Sequence, residues 1–161
     1  MKTTTLAPAL ASLFGELVDG PASSTAYMLN TGDTGLLRSL DGLSAAEAST
    51  TVSGGGSVAA HTDHLRYGLS LMNRWAAGED PYRNADWGMS WQLSTVSDDQ
   101  WRSLRAALAG EARRWYATLG TTRDVDESEL SFMIASVAHL AYHLGAIRQI
   151  ARNARGPADG T

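Results

Sequence analysis

Four histidines stand in two pairs, His61 with His64 and His139 with His143, and the chain has no others. Imidazole nitrogen is a good ligand for zinc, nickel, copper and iron, so rings of this kind brought to one place would make a metal centre. Cysteine is absent, which excludes thiolate ligands, cysteine nucleophiles and disulfide scaffolds and leaves histidine and carboxylate as the strong donors. The spacing within each pair suits a helix, where residues three or four apart have Cβ atoms roughly 5–6 Å apart and two rings can converge on one cation.

Two helices must position these side chains. The segment from Ser131 to Ile150 has no proline and one glycine, and Met133, Val137, Leu140, Leu144 and Ile147 recur at alternating steps of four and three as an apolar stripe. His139 and His143 fall on one flank of that stripe beside Phe132, Ser136 and Ile150, with Arg148, Gln149 and Arg152 on the other side. Between Ser57 and Trp75, His61 and His64 share an arc with Val58, Leu65, Leu71, Met72 and Trp75, opposite Asp63, Arg66, Ser70, Asn73 and Arg74. A lone histidine on an apolar face is ordinarily a core residue whose nitrogens find local partners. All of the histidines turning inward on two helices points instead to a shared metal site.

Composition bounds the setting. With 161 residues the chain suits one domain, 1–161, with a full core and a short disordered tail from about 156. The net charge of −4 comes without a basic stripe, so nucleic acid is not expected as a partner. No charged-then-apolar leader precedes the first helix and no uninterrupted apolar run approaches the ~18 residues of a membrane span, so a cytoplasmic protein without membrane contact is expected.

The remaining elements also read as helices. Leu6 to Val18 forms a first amphipathic helix, stopped by Asp19-Gly20-Pro21, and a turn-rich connection from Ser23 to Gly35 leads into a short helical turn over Thr34 to Leu40. Ser44-Ala-Ala-Glu47 is a capping box, and Ser53-Gly-Gly-Gly56 is a flexible hinge into the second main helix, whose N-cap is Ser57. That helix ends near Gly78. The following loop, Glu79 to Leu93, holds Tyr82, Trp87 and Trp91, which either cap one end of a bundle or wall a ligand pocket. Ser97-Asp-Asp-Gln100 opens a third main helix through Trp101, Leu104, Leu108, Ala112, Trp115 and Leu119, and acids from Asp124 to Glu129 open the fourth, whose last turn is expected to carry Arg152 and Arg155. No alternating strand pattern is present. The fold class is all-α, an up-down bundle of four main helices with the metal site between the second and the fourth.

Two motifs, Ser57-Val58 followed by His64-Leu65 and the run His139-Leu-Ala-Tyr-His143-Leu-Gly-Ala-Ile-Arg-Gln149, resemble those of the DinB superfamily of metal-binding four-helix bundles. The resemblance covers nearly the whole chain and implies a triad of metal ligands, His64 with His139 and His143. His61 lies where relatives are often apolar, and Ala146 stands where many carry glutamine. Three histidines leave a coordination position for water or substrate, and bound zinc lowers the pKa of water to about 7 or favours a thiolate. Membership would imply a metalloenzyme using zinc or nickel: an S-transferase with a low-molecular-weight thiol as cosubstrate, or a hydrolase of small molecules. The resemblance also admits a homodimer.

Some roles stay open. His61 is either a fourth ligand, which would close the site, or a group that contacts a ligand or substrate from one turn away. Tyr67, Tyr142, Trp75 and Trp87 are candidates for the pocket wall, with Trp87 and Tyr142 foremost, or else core aromatics. Asp63 faces the polar arc and Glu111 lies opposite the apolar face of the third helix, so neither is assigned to catalysis. The alternative to an enzyme is a non-catalytic stress-response or ligand-binding bundle in which the metal is structural. A helix-mediated homodimer with no metal is a third reading.

Overall fold

The computed structural model of the protein describes residues 3–157. It is all-helical, with no strand among the described residues and six α-helices: α1 (Leu6–Asp19), α2 (Gly35–Asp41), α3 (Ala45–Ala48), α4 (Val58–Ala76), α5 (Asp98–Gly120) and α6 (Glu127–Ile150). Short 3-10 turns follow at Pro81–Asn84, Met89–Trp91 and Arg152–Ala154. Three helices begin at capping boxes, with Ser44 and Glu47, Ser97 and Gln100, and Asp126 and Glu129 exchanging side-chain and backbone hydrogen bonds. Each N-cap of this type satisfies a backbone N–H that has no partner within its helix, at about 1 kcal/mol. Ser57 caps α4 by accepting from the Ala60 N–H at 3.1 Å.

The four long helices pack as a ring in which α4 lies against α5 and α6, and α1 lies against the same two helices. Chain neighbours are therefore not all spatial neighbours, as they would be in a simple up-down bundle. The long 20–57 connection, which contains α2 and α3, is what lets the chain cross from α1 to α4. Phe14, Leu65, Leu108, Trp115, Met133, Leu140 and Ile147 are fully or almost fully buried in one continuous core. Both buried indoles find acceptors: Trp115 Nε1 donates to Ser136 Oγ and Trp101 Nε1 to the Leu43 carbonyl, each at 2.8 Å.

Buried acids pin the connection. The Glu16 carboxylate accepts the backbone N–H groups of Tyr27, Met28 and Leu29, and Asp33 accepts from the Gly35 N–H and pairs with Arg148 at 2.8 Å. Two glycines make the crossing sterically possible. At φ +88° and +72°, Gly20 and Gly35 approach so closely that a Cβ on Gly35 would stand 2.4 Å from the Gly20 nitrogen.

The C-terminal end differs from the expectation that Arg152 and Arg155 close the last helix. Ala151 is extended (φ −111°, ψ 107°), so α6 stops at Ile150 and Arg152 enters a separate turn. The Arg148 and Arg155 side chains tie that turn down by donating to the Ala154 and Arg148 carbonyls. Of the tail expected from about 156, Gly156 and Pro157 lie against Asp33 and Asn30, and 158–161 fall outside the described residues. One expectation about membranes is narrowed: although no uninterrupted apolar run is long enough, α6 is on average long and apolar enough to cross a bilayer.

Candidate metal centre

The histidines meet where α4 and α6 face each other under the loop that follows α4. The Asp63–Arg66 pair and the Asn73–Glu111 contacts keep the polar arc of α4 outside, which turns His61 and His64 inward beside Leu65 and Leu69. On α6, Leu140 and Leu144 anchor the buried stripe, and His139 and His143, one turn apart, stand next to it. His143 is 2 % exposed and His61 and His64 are 8 % exposed, while His139 is half-buried.

Three ring nitrogens converge. The Nε2 atoms of His64 and His139 are 3.2 Å apart and those of His143 and His139 are 2.9 Å apart. His64, His139 and His143 form a group whose ligand atoms all lie within 4.8 Å of one another. Two nitrogens each about 2.05 Å from one tetrahedral zinc ion stand roughly 3.3 Å apart, so the cluster is near the size a cation needs.

The outer nitrogens fix which ring atoms are free to ligate. His64 Nδ1 lies 2.8 Å from Ser90 Oγ, and that hydroxyl donates its only proton to the Trp87 carbonyl at 2.7 Å. Ser90 must therefore accept from His64 Nδ1–H, which leaves the lone pair of His64 on Nε2, aimed into the cluster. His143 has its Nδ1 2.8 Å from Nδ1 of His61. A proton on His143 Nδ1, donated to His61, places the His143 lone pair on Nε2 as well. With the His64 lone pair directed at it, a single proton on His139 Nε2 satisfies one of its two close contacts well, whereas a cation satisfies all three lone pairs.

Electrostatics favours neutral rings. Burial, reinforced by His139 and His61, lowers the His64 pKa to about 4, and burial with His139, His61 and His64 lowers that of His143 to about 3. Burial lowers His61 and His139 too. Neutral imidazole is the form that ligates metals, so the rings are prepared to bind near neutral pH. The donor set fits a divalent transition metal.

Around the cluster the aromatic loop divides its work. Tyr82 stacks on Phe132 with centroids 5.3 Å apart, and Trp75 meets Phe132 at 5.2 Å, which closes one end of the helix assembly. Trp91 stacks on His64 at 4.4 Å and meets His61 edge-on at 5.0 Å, while Trp87 lies 5.5 Å from His64. Tyr67 holds the loop by accepting from the Asp86 N–H at 2.9 Å. Tyr142 lies edge-on to His143 at 4.9 Å but is 69 % exposed. The triglycine expected as a hinge also has a packing role, because a Cβ on Gly56 would stand 3.1 Å from the Trp91 ring.

His61, His64, His139, His143, Trp87 and Tyr142 are thus all gathered here, with His61 on the far side of His143 from the convergence point. Asp63 is turned to Arg66, and Glu111 to Asn73 and Arg114. Ser90 is not legible in the sequence, since a serine in a loop carries no periodic signal, whereas the sequence offers Trp91 with Tyr82 and Trp87 as bundle cap or pocket wall. The broad depressions beside Tyr116 and beside Arg148 lie elsewhere, and their linings bring no comparable donor set together. In comparisons with known proteins, no family model, no curated protein and no solved structure matches the chain.

Proposed function

We propose that the protein is a metal-dependent enzyme that holds a divalent transition metal, zinc or nickel, on His64, His139 and His143 and acts on a small molecule. The observation that carries this reading is the convergence of three Nε2 atoms, two of them on rings whose outer nitrogens are engaged, His64 by Ser90 and His143 by His61. The resemblance of the His139–Gln149 run to the DinB superfamily supports the same triad, a DinB-like four-helix bundle and a thiol-dependent transferase or a hydrolase. When bound, a metal with three protein ligands supplies Lewis acidity to water, a thiol or a carbonyl.

The chain's own residues do the rest. Ser90 and His61 hold the rings in one tautomer and orientation, which raises the basicity of the ligands and preorganises them. Trp91 and Trp87 cover His64 and keep water from that side, and the half-buried His139 marks the side open to solvent. No carboxylate joins the group among the described residues, which leaves room for an exchangeable ligand.

The test is metal content per chain, by mass spectrometry, on protein purified without a histidine tag or chelating resin. About one equivalent of zinc or nickel is expected, followed by thiol or substrate binding that chelation abolishes while helicity is kept. A folded protein that carries no metal and refuses added zinc and nickel would sink the proposal. Unfolding upon chelation would favour a structural metal instead.

A further inference from the structure

Four arginines meet in one groove on a chain whose net charge is −4. On α5, Arg102, Arg105, Ala106, Ala109 and Arg113 recur at helical steps and form one stripe. Across from it stand Leu37, Arg38 and Asp41 of α2, and the depression between them measures about 590 Å³. That is the size of a small-molecule site. No histidine lines it. Two ion pairs mark its ends, Arg105 with Asp41 and Arg113 with Asp19, about 12 Å apart along α5. Between these pairs the two alanines, with Leu37 and Leu40, make an apolar floor, and the small alanine side chains leave the space open.

The pairing in the groove leaves one cation over. Asp99 holds Arg102 at 2.7 Å, Asp41 holds Arg105 and Asp19 holds Arg113. Arg38 is exposed, and its side chain makes no ion pair or hydrogen bond among the described residues. Arg105 is underused as well. Its guanidinium lies 5.6 Å from the Trp101 ring and donates from Nη1 to Asp41, but its buried Nε has no acceptor among the described residues. Every cation here is an arginine, whose five N–H donors form a planar fork that matches a carboxylate.

We infer that this groove binds a small organic monoanion, its carboxylate head held by Arg38 and Arg105 and its short apolar body laid on the floor at Ala106 and Ala109. Charge selects the head. One guanidinium without a counter-ion calls for a single negative charge, and the spare donors of Arg105 add a second charge-assisted contact. The floor selects the body, because apolar atoms resting on alanine and leucine are withdrawn from water while the head stays at the exposed rim. A nucleic-acid strand suits the groove poorly, since Asp19, Asp41 and Asp99 would stand against successive phosphates.

The test is a titration of the isotope-labelled full chain with benzoate at mildly acidic pH, read on the arginine Nε–H signals by NMR. The Arg38 and Arg105 signals should shift saturably, with a dissociation constant of about 1 mM. Benzamide, the neutral analogue of the same shape, should bind about tenfold more weakly, and benzoate should lose about tenfold in Arg38→Gln. Ala109→Leu, which fills the floor, should abolish the saturable shift with unchanged circular dichroism. A shift that never saturates, an equal shift at the exposed Arg83 and Arg152, or equal affinity for benzamide would overturn the inference. Should Ala109→Leu fail to fold, Arg38→Gln decides, because no side-chain hydrogen bond or ion pair among the described residues is lost with it; unchanged benzoate affinity in that variant overturns the inference too. The signals report on α2 and α5 alone, away from the histidines, so this groove and the metal centre stand or fall separately.

Discussion

Ser90 does more for the histidine cluster than its place in a loop suggests. Its hydroxyl proton is committed to the Trp87 carbonyl, so it can only accept from His64, and that choice points the His64 lone pair at His139. Ser90→Ala should weaken metal binding by about 10–100-fold with the fold intact, read by competition with a chelating dye. His139→Ala and His143→Ala should each drop metal content well below one equivalent, because each removes one donor of three. His61→Ala should keep the metal and lose affinity by a similar 10–100-fold; an empty site in that variant would instead make His61 a ligand. The buried rings also set a pH dependence in the metal-free protein. His64 and His143 stay neutral in the fold down to about 4 and about 3, but the unfolded chain protonates them near the ordinary value of 6.5. The unfolded state thus binds more protons in that interval. The stability these rings contribute is fully present above 6.5 and is lost as pH falls toward 4, with a slope of at most about 1.4 kcal/mol per pH unit per ring. Urea midpoints of the metal-free protein should fall between about pH 7.5 and 5.5, and less steeply in His143→Phe. Equal slopes in both proteins would show that this ring is not the cause.

At the level of elements, glycines of one type have opposite uses. Gly35 has a left-handed φ of +72°, and its missing Cβ would strike backbone atoms of Asp19 and Gly20. Backbone cannot yield as a flexible side chain can, so Gly35→Ala should cost more than about 2 kcal/mol in chemical denaturation. Gly110 sits inside α5, where a Cβ would find only the end of Arg114 at 3.9 Å. Gly110→Ala should raise stability by about 0.5–1 kcal/mol, the ordinary helix preference. The helix starts were legible in the sequence for the same local reason: a capping residue and its partner three positions on are a short-range signal. Ser44 and Ser97 cap their helices with such partners, Ser57 caps α4 without one, and Asp126 falls among the acids read as opening the last main helix. The end of α6 was less legible. Arg152 fits a last helical turn by its charge, yet Ala151 turns extended, and the residues after it are held by Arg148 and Arg155.

For the molecule as a whole, a metal held by α4 and α6 would link two helices that already share a core. Saturation at about 100 times the dissociation constant should add about 2.7 kcal/mol, seen as a higher melting temperature with metal than with chelator, while helicity at room temperature stays the same. The core justifies the second half of that expectation, since it runs unbroken from Phe14 through Trp115 to Ile147 without drawing on any of the histidines. The sequence by itself determined that the chain is all-helical and that two helices turn their histidine pairs toward the interior, because helical periodicity is written in consecutive residues. It also bounded the donors, since without cysteine only histidine and carboxylate remain as strong ligands. Which nitrogens converge was settled only in three dimensions, through a serine 26 residues from His64 and through one histidine facing another 82 residues away. The order of helices around the ring was settled there too, by the close crossing of Gly20 and Gly35 and the carboxylates that pin it. Such contacts join residues with no fixed spacing along the chain, so no periodic pattern can announce them.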